Sequence, residues 1–341
     1  MFYTQKGRQV PSMATDYMLF IHGVDTRSEI IPPTYADPLI ALIKNYLQNP
    51  PGGTPPHGLD FETVALYWGD VNKNAEQKLV VAYRASPLWE QFWFRQMRET
   101  AFLEFAGDIA LYMSPSIGAR VVKTLSEQTL KRLPTDPQPD DRLHLVGHSL
   151  GTVILFDVLF STRWDQSDMP GYTEVKAFRE TIYGVEPHWE KGIPLASIIT
   201  MGSPLGLFSL MDVPDEDEQK GVVSTHDISP RLQQLFERLR GRLGGGIPPW
   251  INFAHPGDPA ASPLKDVVNN LVGYSEVEDI LAYDVGIVEK LAAEVSRMSQ
   301  HHGWPDLSLL DGLQVHNAYW QNEQVALKIT QTILEDRTRA K

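Results

Sequence analysis

The chain has 341 residues, of which 42% are hydrophobic and 21% are charged, and its formal net charge at pH 7 is −13. This composition is typical of a folded, enzyme-sized protein and excludes a largely disordered chain. The sequence contains no cysteine, which excludes disulfides, thiolate metal sites and cysteine nucleophiles, and its net acidity argues against nucleic acid as a partner.

The sequence shows no export signal and no membrane-spanning segment. The residues before Gly23 include two early basic residues but lack the apolar run and the small-residue cleavage site of a signal peptide. No window approaches the roughly 18 consecutive apolar residues that a membrane helix needs. We therefore expect a cytoplasmic protein with no integral membrane segment.

Five short apolar runs have the length of β-strands. They contain little polar alternation, which favours strands covered on both faces, as in a parallel sheet. The predicted strands are 17–21, 61–68, 143–146, 195–201 and 251–254.

Helical patterns alternate with these strands. Segments 38–47 and 117–133 carry apolar residues three and four positions apart, and segment 152–160 is apolar almost throughout, which fits a helix buried against a sheet. Strands that alternate with helices predict an α/β fold with a doubly wound, mostly parallel sheet. We expect one such domain over residues 1–341, enlarged by helical insertions that form a cap.

Segment 73–113 does not fit the alternation and is rich in aromatic residues. From Trp89 to Met113 an apolar or small residue recurs every four positions, which is the spacing of one helix face. The pattern indicates either a helix whose wide apolar face packs in the core or a cap that forms an acyl-binding wall over an active site.

Segment 205–249 is the second predicted insertion. It contains the acidic run 212–218, which is typical of a solvated loop, and the amphipathic stretch 229–243. The apolar stripe of this stretch fits either a lid over an apolar cleft or an ordinary packed helix.

The sequence GHSLG, residues 147–151, lies between a predicted strand and a predicted helix. A nucleophilic serine must stand at the tip of a tight, strained strand-to-helix turn, where a base and a substrate carbonyl can reach it. Glycines on both sides let neighbouring backbone approach, and the first amides of the helix point at the developing oxyanion. Ser149 is therefore the candidate nucleophile and the Leu150 N–H a candidate oxyanion donor. The alternative is a serine in an ordinary glycine-rich turn.

This arrangement resembles the nucleophile elbow of the α/β-hydrolase superfamily, and within it of lipases and serine esterases with a GHSLG elbow. In that family an earlier strand ends in His-Gly, and the next backbone N–H completes the oxyanion hole. Here the corresponding residues are His22 and Gly23. The resemblance therefore implies that the Val24 N–H is the second donor, and His22 is not expected to act as a base.

The resemblance also implies the chain order serine, acid, histidine, with the acid after the second strand beyond the elbow. Strand 251–254 meets that description, and residues 255–259, HPGDP, follow it directly. Asp258 is therefore the candidate acid, and His255 is expected to shape the loop. The competing acids are Asp227, Glu276, Glu278, Asp279, Asp284, Asp306 and Asp311.

Three histidines follow Asp258 in the chain, namely His301, His302 and His316. The resemblance places the base on a loop before the last helix, and His316 has that position, after a short apolar piece and before a helical pattern. The pair at 301 and 302 lies in a polar turn, and it lacks the clustered carboxylates of a metal site.

Asp25 follows the expected oxyanion donor. A carboxylate aimed at the oxyanion hole would oppose negative charge there, so we predict that Asp25 points away from the Ser149 hydroxyl.

The sequence thus predicts a serine hydrolase that acts on a small-molecule or lipid-like acyl ester. Ser149 is the nucleophile, His316 the base and Asp258 the residue that orients it, while the Val24 and Leu150 amides bind the oxyanion. This chemistry requires no metal and no organic cofactor. Two alternatives remain open at this stage, an acyltransferase with the same triad and a non-catalytic interaction protein of the same fold, and the oligomeric state is not determined.

Overall fold

A computed structural model of the protein describes residues 14–24, 33–51, 53, 60–71, 73–92, 95–99, 103–208, 225–242, 246–273, 276–283 and 315–339. The strands of this part are β1 Thr15–Ile21, β2 Asp60–Leu66, β3 Arg142–His148, β4 Leu195–Met201, β5 Trp250–Ala254 and β6 Val277–Leu281. The α-helices are α1 Asp37–Gln48, α2 Lys73–Ala85, α3 Arg95–Glu99, α4 Asp108–Met113, α5 Pro115–Leu130, α6 Leu150–Phe160, α7 Tyr172–Arg179, α8 Leu205–Phe208, α9 Ser229–Arg242, α10 Lys265–Val272 and α11 Glu323–Arg339. Short 3₁₀ helices lie at Trp89–Gln91, Thr162–Trp164 and Ala318–Gln321, and a π-helical turn lies at Leu103–Gly107.

The strands form one sheet in the order β2-β1-β3-β4-β5-β6, and every neighbouring pair is parallel. The predicted doubly wound, mostly parallel α/β architecture is confirmed. Because the strands are parallel, their carboxyl ends lie at one edge of the sheet. The strand order reverses between β1 and β3, and such a switch point opens a crevice at that edge.

The sheet is covered on both faces by separate cores. Side chains of β1 alternate between them, with Met18 and Phe20 on the face packed by α1 and α11, and Leu19 and Ile21 on the opposite face, which α5, α6, α7, α9 and α10 cover. This double coverage explains why strands β3 and β4 are buried along their whole length and why they show no polar alternation in sequence.

The edge strand β6 is missing from the sequence prediction. Its middle residues Glu278 and Asp279 are exposed, because an edge strand has one unpaired side and tolerates charge. The acidic residues conceal the strand pattern in the sequence.

Of the two alternatives for segment 73–113, a single helix is not what the described residues form: they divide into α2, a 3₁₀ turn, α3, a π-helical turn and α4. Helix α2 ends at Ala85 before Ser86 and Pro87, since the residue before a proline avoids the helical region. Phe92 then takes an extended conformation and ends the following 3₁₀ turn. Residues 93–94 and 100–102 of this segment lie outside the described part of the chain.

The second insertion is described only in part. Its helix α9 buries four apolar residues in the core shared with α6 and α10, as an ordinary packed helix does; these are Leu232, Leu235, Phe236 and Leu239. The acidic run 212–218 lies outside the described residues. None of the helices in the described part of the chain combines the length and apolar character needed to cross a membrane.

Candidate active site

Ser149 lies at the junction between β3 and α6 with φ 53° and ψ −135°. Among the described non-glycine residues it is the one with positive φ, and such strain persists only where the surroundings hold it. The Ser149 N–H donates to the Met201 carbonyl at 3.0 Å, and the N–H and hydroxyl of Thr152 donate to the Ser149 carbonyl. The expected strand, sharp turn and helix are therefore present around the candidate nucleophile.

The loop after β1 approaches this turn at Gly23. A Cβ at Gly23 would overlap the Cβ of Ser149 and lie 2.7 Å from its Oγ, so the approach requires glycine. The contact brings the backbone that follows β1, including Val24, to the candidate nucleophile.

His22 holds that loop in position. Its Nδ1–H donates to the Gly23 carbonyl at 2.7 Å, and its Nε2 accepts from the Trp68 N–H at 3.2 Å. The Trp68 indole also donates to the His22 carbonyl at 3.0 Å and stacks on the imidazole. Since these bonds occupy both ring nitrogens, His22 organises the loop that carries Val24.

Asp258 and His316 form a buried pair. The His316 Nδ1–H donates to Asp258 Oδ1 at 2.8 Å, across 58 residues of sequence. Oδ1 also accepts from the Ala260 N–H at 2.9 Å, and Oδ2 accepts from the Tyr319 hydroxyl at 2.8 Å. Burial by itself raises the pKa of Asp258, but the hydrogen bonds, led by that from His316, hold it below its usual value. Asp258 is therefore a carboxylate at neutral pH.

This pair lies beside the end of β4, next to the candidate nucleophile. A Cβ on Gly202, which has φ 54°, would lie 2.6 Å from Asp258 Oδ2 and 3.2 Å from His316 Cε1. The structure thus brings the predicted acid and base to the carboxyl edge of the sheet where Ser149 lies.

The Ser149 Oγ and the His316 Nε2 are buried and have no hydrogen-bond partner within the described residues. They are the two atoms between which a serine and a histidine exchange a proton. Hydrogen bonds between catalytic groups are often long without substrate and tighten in the reacting complex.

His148, the residue before Ser149, contacts the candidate base. Its Nε2–H donates to the His316 carbonyl at 2.6 Å, and the two imidazole centroids are 4.6 Å apart. Burial, with a smaller contribution from His316, lowers the pKa of His148 to about 3. His148 therefore stays neutral and places no positive charge beside the cation that would form on His316.

Several competing acids have other partners in the structure. Asp279 accepts from Asn252 and from the Leu264 and Lys265 amides at the start of α10. Glu278 pairs with Lys328, and Asp227 accepts from the Ser229 N–H at the start of α9. Asp25, Asp284, His301, His302, Asp306 and Asp311 lie outside the described residues.

The acid loop is closed by His255, as expected. The Gly257 N–H donates to its Nδ1 at 3.0 Å, and the Asp258 N–H donates to its carbonyl at 2.9 Å. Sequence reasoning missed Tyr319 and His148, and neither carried a local signal, because their roles depend on partners far away in the chain.

In the described part of the chain, no three His, Asp or Glu side chains lie close enough together to hold a metal ion.

Comparisons with known proteins find similarity only among solved structures. No family model and no curated protein matches the chain. Est1E from Butyrivibrio proteoclasticus is 9% identical over 84% of this chain and 88% of that one, with a TM-score of 0.30. The thermophilic esterase Est2 from Thermogutta terrifontis is 11% identical over 86% and 84%, with a TM-score of 0.31. The peroxisomal α/β-hydrolase Lpx1 from Saccharomyces cerevisiae is 11% identical over 89% and 83%, with a TM-score of 0.29.

Proposed function

We propose that the protein is a serine hydrolase that cleaves carboxylic esters through a Ser149–His316–Asp258 triad. The observation that carries the proposal is the buried 2.8 Å pair of His316 and Asp258 beside a serine that has positive φ in a strand-to-helix turn. Low sequence identity and low TM-scores leave the function to be argued from these residues.

In the first half of the reaction Ser149 is acylated. Its Oγ forms a bond to the ester carbonyl carbon while its proton passes to His316 Nε2, and the carbonyl electron pair moves onto oxygen. The Val24 and Leu150 N–H groups donate to that oxyanion. When the tetrahedral intermediate collapses, the bond to the alcohol oxygen breaks and His316 returns the proton to the leaving alcohol.

In the second half water removes the acyl group. His316 takes a proton from water, whose oxygen attacks the acyl carbon, and the proton then returns to Ser149 as the acid leaves. Asp258 holds the Nδ1–H tautomer of His316 and stabilises the imidazolium in both halves. Because His148 is neutral, it adds no repulsion to that cation.

We place the choice of acyl group in the insertion 73–113. This insertion follows β2, so it starts at the same edge of the sheet as the Ser149 turn. A cavity of about 410 Å³ lies within it, with mostly apolar walls that include Leu79, Tyr83, Trp89, Phe92 and Leu103. Arg98 and Ser86 also line it, and the remaining walls suit a hydrocarbon chain.

Labelling with a fluorophosphonate probe tests the proposal. The wild type should label and Ser149→Ala should not. Ser203→Ala is the matched control, because Ser203 is a second buried serine near the turn, and its hydroxyl donates to Thr152 Oγ1. Equal labelling of Ser149→Ala and wild type would overturn the proposal.

A panel of p-nitrophenyl esters from short to long acyl chains then tests the reaction. Serine-dependent release of p-nitrophenol without an added acceptor supports hydrolysis. Strong labelling with negligible turnover across the panel would instead favour acyl transfer to an alcohol or amine.

A further inference from the structure

Tyr319 is a buried residue three positions after His316, and its hydroxyl lies on the acid loop. The hydroxyl donates to Asp258 Oδ2 at 2.8 Å and accepts from the His255 N–H at 2.8 Å. A buried tyrosine hydroxyl needs partners, and here both of them belong to the loop that carries the candidate acid.

The two carboxylate oxygens of Asp258 are held by different groups. Oδ1 accepts from His316 and from the Ala260 N–H, whereas Oδ2 accepts from Tyr319. The carboxylate cannot turn about its Cβ–Cγ bond without breaking bonds on both sides, so Oδ1 stays directed at His316.

The base and Tyr319 belong to one short segment. His316 precedes the 3₁₀ helix Ala318–Gln321, which contains Tyr319, and the three-residue spacing puts both side chains on one side of the segment. The segment therefore donates two hydrogen bonds to Asp258, from His316 to Oδ1 and from Tyr319 to Oδ2.

We propose that Tyr319 is a positioning residue of the triad, which locks the Asp258 carboxylate with Oδ1 on His316 and joins the base segment to the acid loop. This inference rests on the proposed function. A phenylalanine would fill the same apolar space, so the hydroxyl is the feature that the inference concerns.

The titratable groups around His316 allow the effect of Tyr319 to be measured from the pH dependence of catalysis. Burial, followed by the negative charge of Asp258, raises the pKa of Tyr319 far above its usual value, so the phenol remains a donor. His148 remains neutral. Among the described titratable side chains that contact His316, Asp258 is thus the charged one. Its carboxylate accepts hydrogen bonds from both His316 and Tyr319.

The test compares Tyr319→Phe with Tyr35→Phe. Tyr35 is a matched control, because its hydroxyl donates to the carbonyls of Phe20 and Leu66 and not to the acid loop. For each variant the pH dependence of kcat and KM is measured with the best p-nitrophenyl ester, and fluorophosphonate titration counts the active molecules.

In Tyr319→Phe we expect kcat per active molecule to fall roughly ten- to a hundredfold with little change in KM. The acidic limb of kcat/KM should also move to higher pH, because the Asp258 carboxylate, once it has lost the Tyr319 donor, attracts the imidazolium more strongly. Tyr35→Phe should keep the wild-type limb.

The inference would be overturned if Tyr319→Phe kept both the wild-type kcat and the acidic limb of kcat/KM at its wild-type pH. The limb position does not depend on how much protein is folded, so partial unfolding of the variant does not hide the result. A wild type that shows no Ser149-dependent labelling would overturn the proposed function instead.

Discussion

The Nε2–H of His148 donates a 2.6 Å hydrogen bond to the backbone carbonyl of His316. The residue before the candidate nucleophile therefore holds the segment that carries the candidate base, although 168 positions separate the two in sequence. His148 thus links the Ser149 turn directly to the segment that carries His316.

Replacing His148 by phenylalanine tests this contact. The ring is kept and the donor is lost, so we expect kcat to fall about tenfold, because the His316 backbone loses a hydrogen bond worth about 1 kcal/mol of stability. The acidic limb of kcat/KM should stay in place, because His148 is neutral above about pH 3. An unchanged kcat would show that other contacts suffice to hold His316.

Asp258→Asn tests the candidate acid. The amide favours the wrong tautomer of His316 and cannot stabilise the imidazolium, so kcat should drop by about 10³–10⁴. The control is Asp279→Asn, whose carboxylate accepts from amides at the start of α10 and which should retain about the wild-type kcat. Full activity of Asp258→Asn would mean that another carboxylate orients the base.

Gly23→Ala tests the approach of the β1 loop to the nucleophile. The new methyl would overlap Ser149, so we expect loss of fluorophosphonate labelling and lower thermal stability. Gly241→Ala is the control, because its Cβ would meet nothing within 4 Å in helix α9. There the change should stabilise the helix by up to about 1 kcal/mol. Normal labelling of Gly23→Ala would show that the loop can withdraw without harm.

Replacing Asp157 tests how much a buried carboxylate contributes to the free energy of unfolding. Its carboxylate accepts from Tyr112, Arg163, Trp164 and His226, and so ties α4 and the residues before α9 to α6. Burial alone raises the pKa of Asp157, but these donors, led by His226, hold it below its usual value. This stability is therefore fully present above the unfolded pKa of about 3.9 and is lost as the pH falls below it.

We expect Asp157→Asn to lose about 3–5 kcal/mol of unfolding free energy at pH 7, because it leaves Arg163 buried without its carboxylate. The loss should shrink as the pH falls below about 3.9, because the unfolded wild type then takes up a proton and the native carboxylate contributes less stability. Urea unfolding at several pH values measures both quantities. A constant difference between the two proteins at all pH values would contradict the assignment.

Ala106→Phe tests the cavity of the first insertion, whose wall includes Ala106. Filling the cavity should raise KM for long-chain p-nitrophenyl esters severalfold. Each methylene of the acyl chain that is kept out of an apolar site loses up to about 0.8 kcal/mol of binding free energy. The acetate ester should be unaffected. Val81→Phe, on an exposed position of α2, adds the same bulk outside the cavity; a parallel loss in both variants would argue against acyl binding there.

The sequence alone predicted the elements whose signals are local. The turn at Ser149 lies within one stretch that runs from strand to helix, and the alternation of strands and helices requires only the periodicity of each segment. The parallel sheet followed from the same signals, because strands covered on both faces are apolar throughout.

Tertiary structure decided the features that join distant segments. Tyr319 meets Asp258 across 61 positions, and His148 meets His316 across 168. The charged edge strand β6 is recognised as a strand only through its pairing with β5. Local periodicity determines which face of an element is apolar, but the register between strands and the orientation of each loop determine which polar atoms meet. Asp258 and His316 were therefore candidates in the sequence, and the groups that hold them in place are visible only in the folded chain.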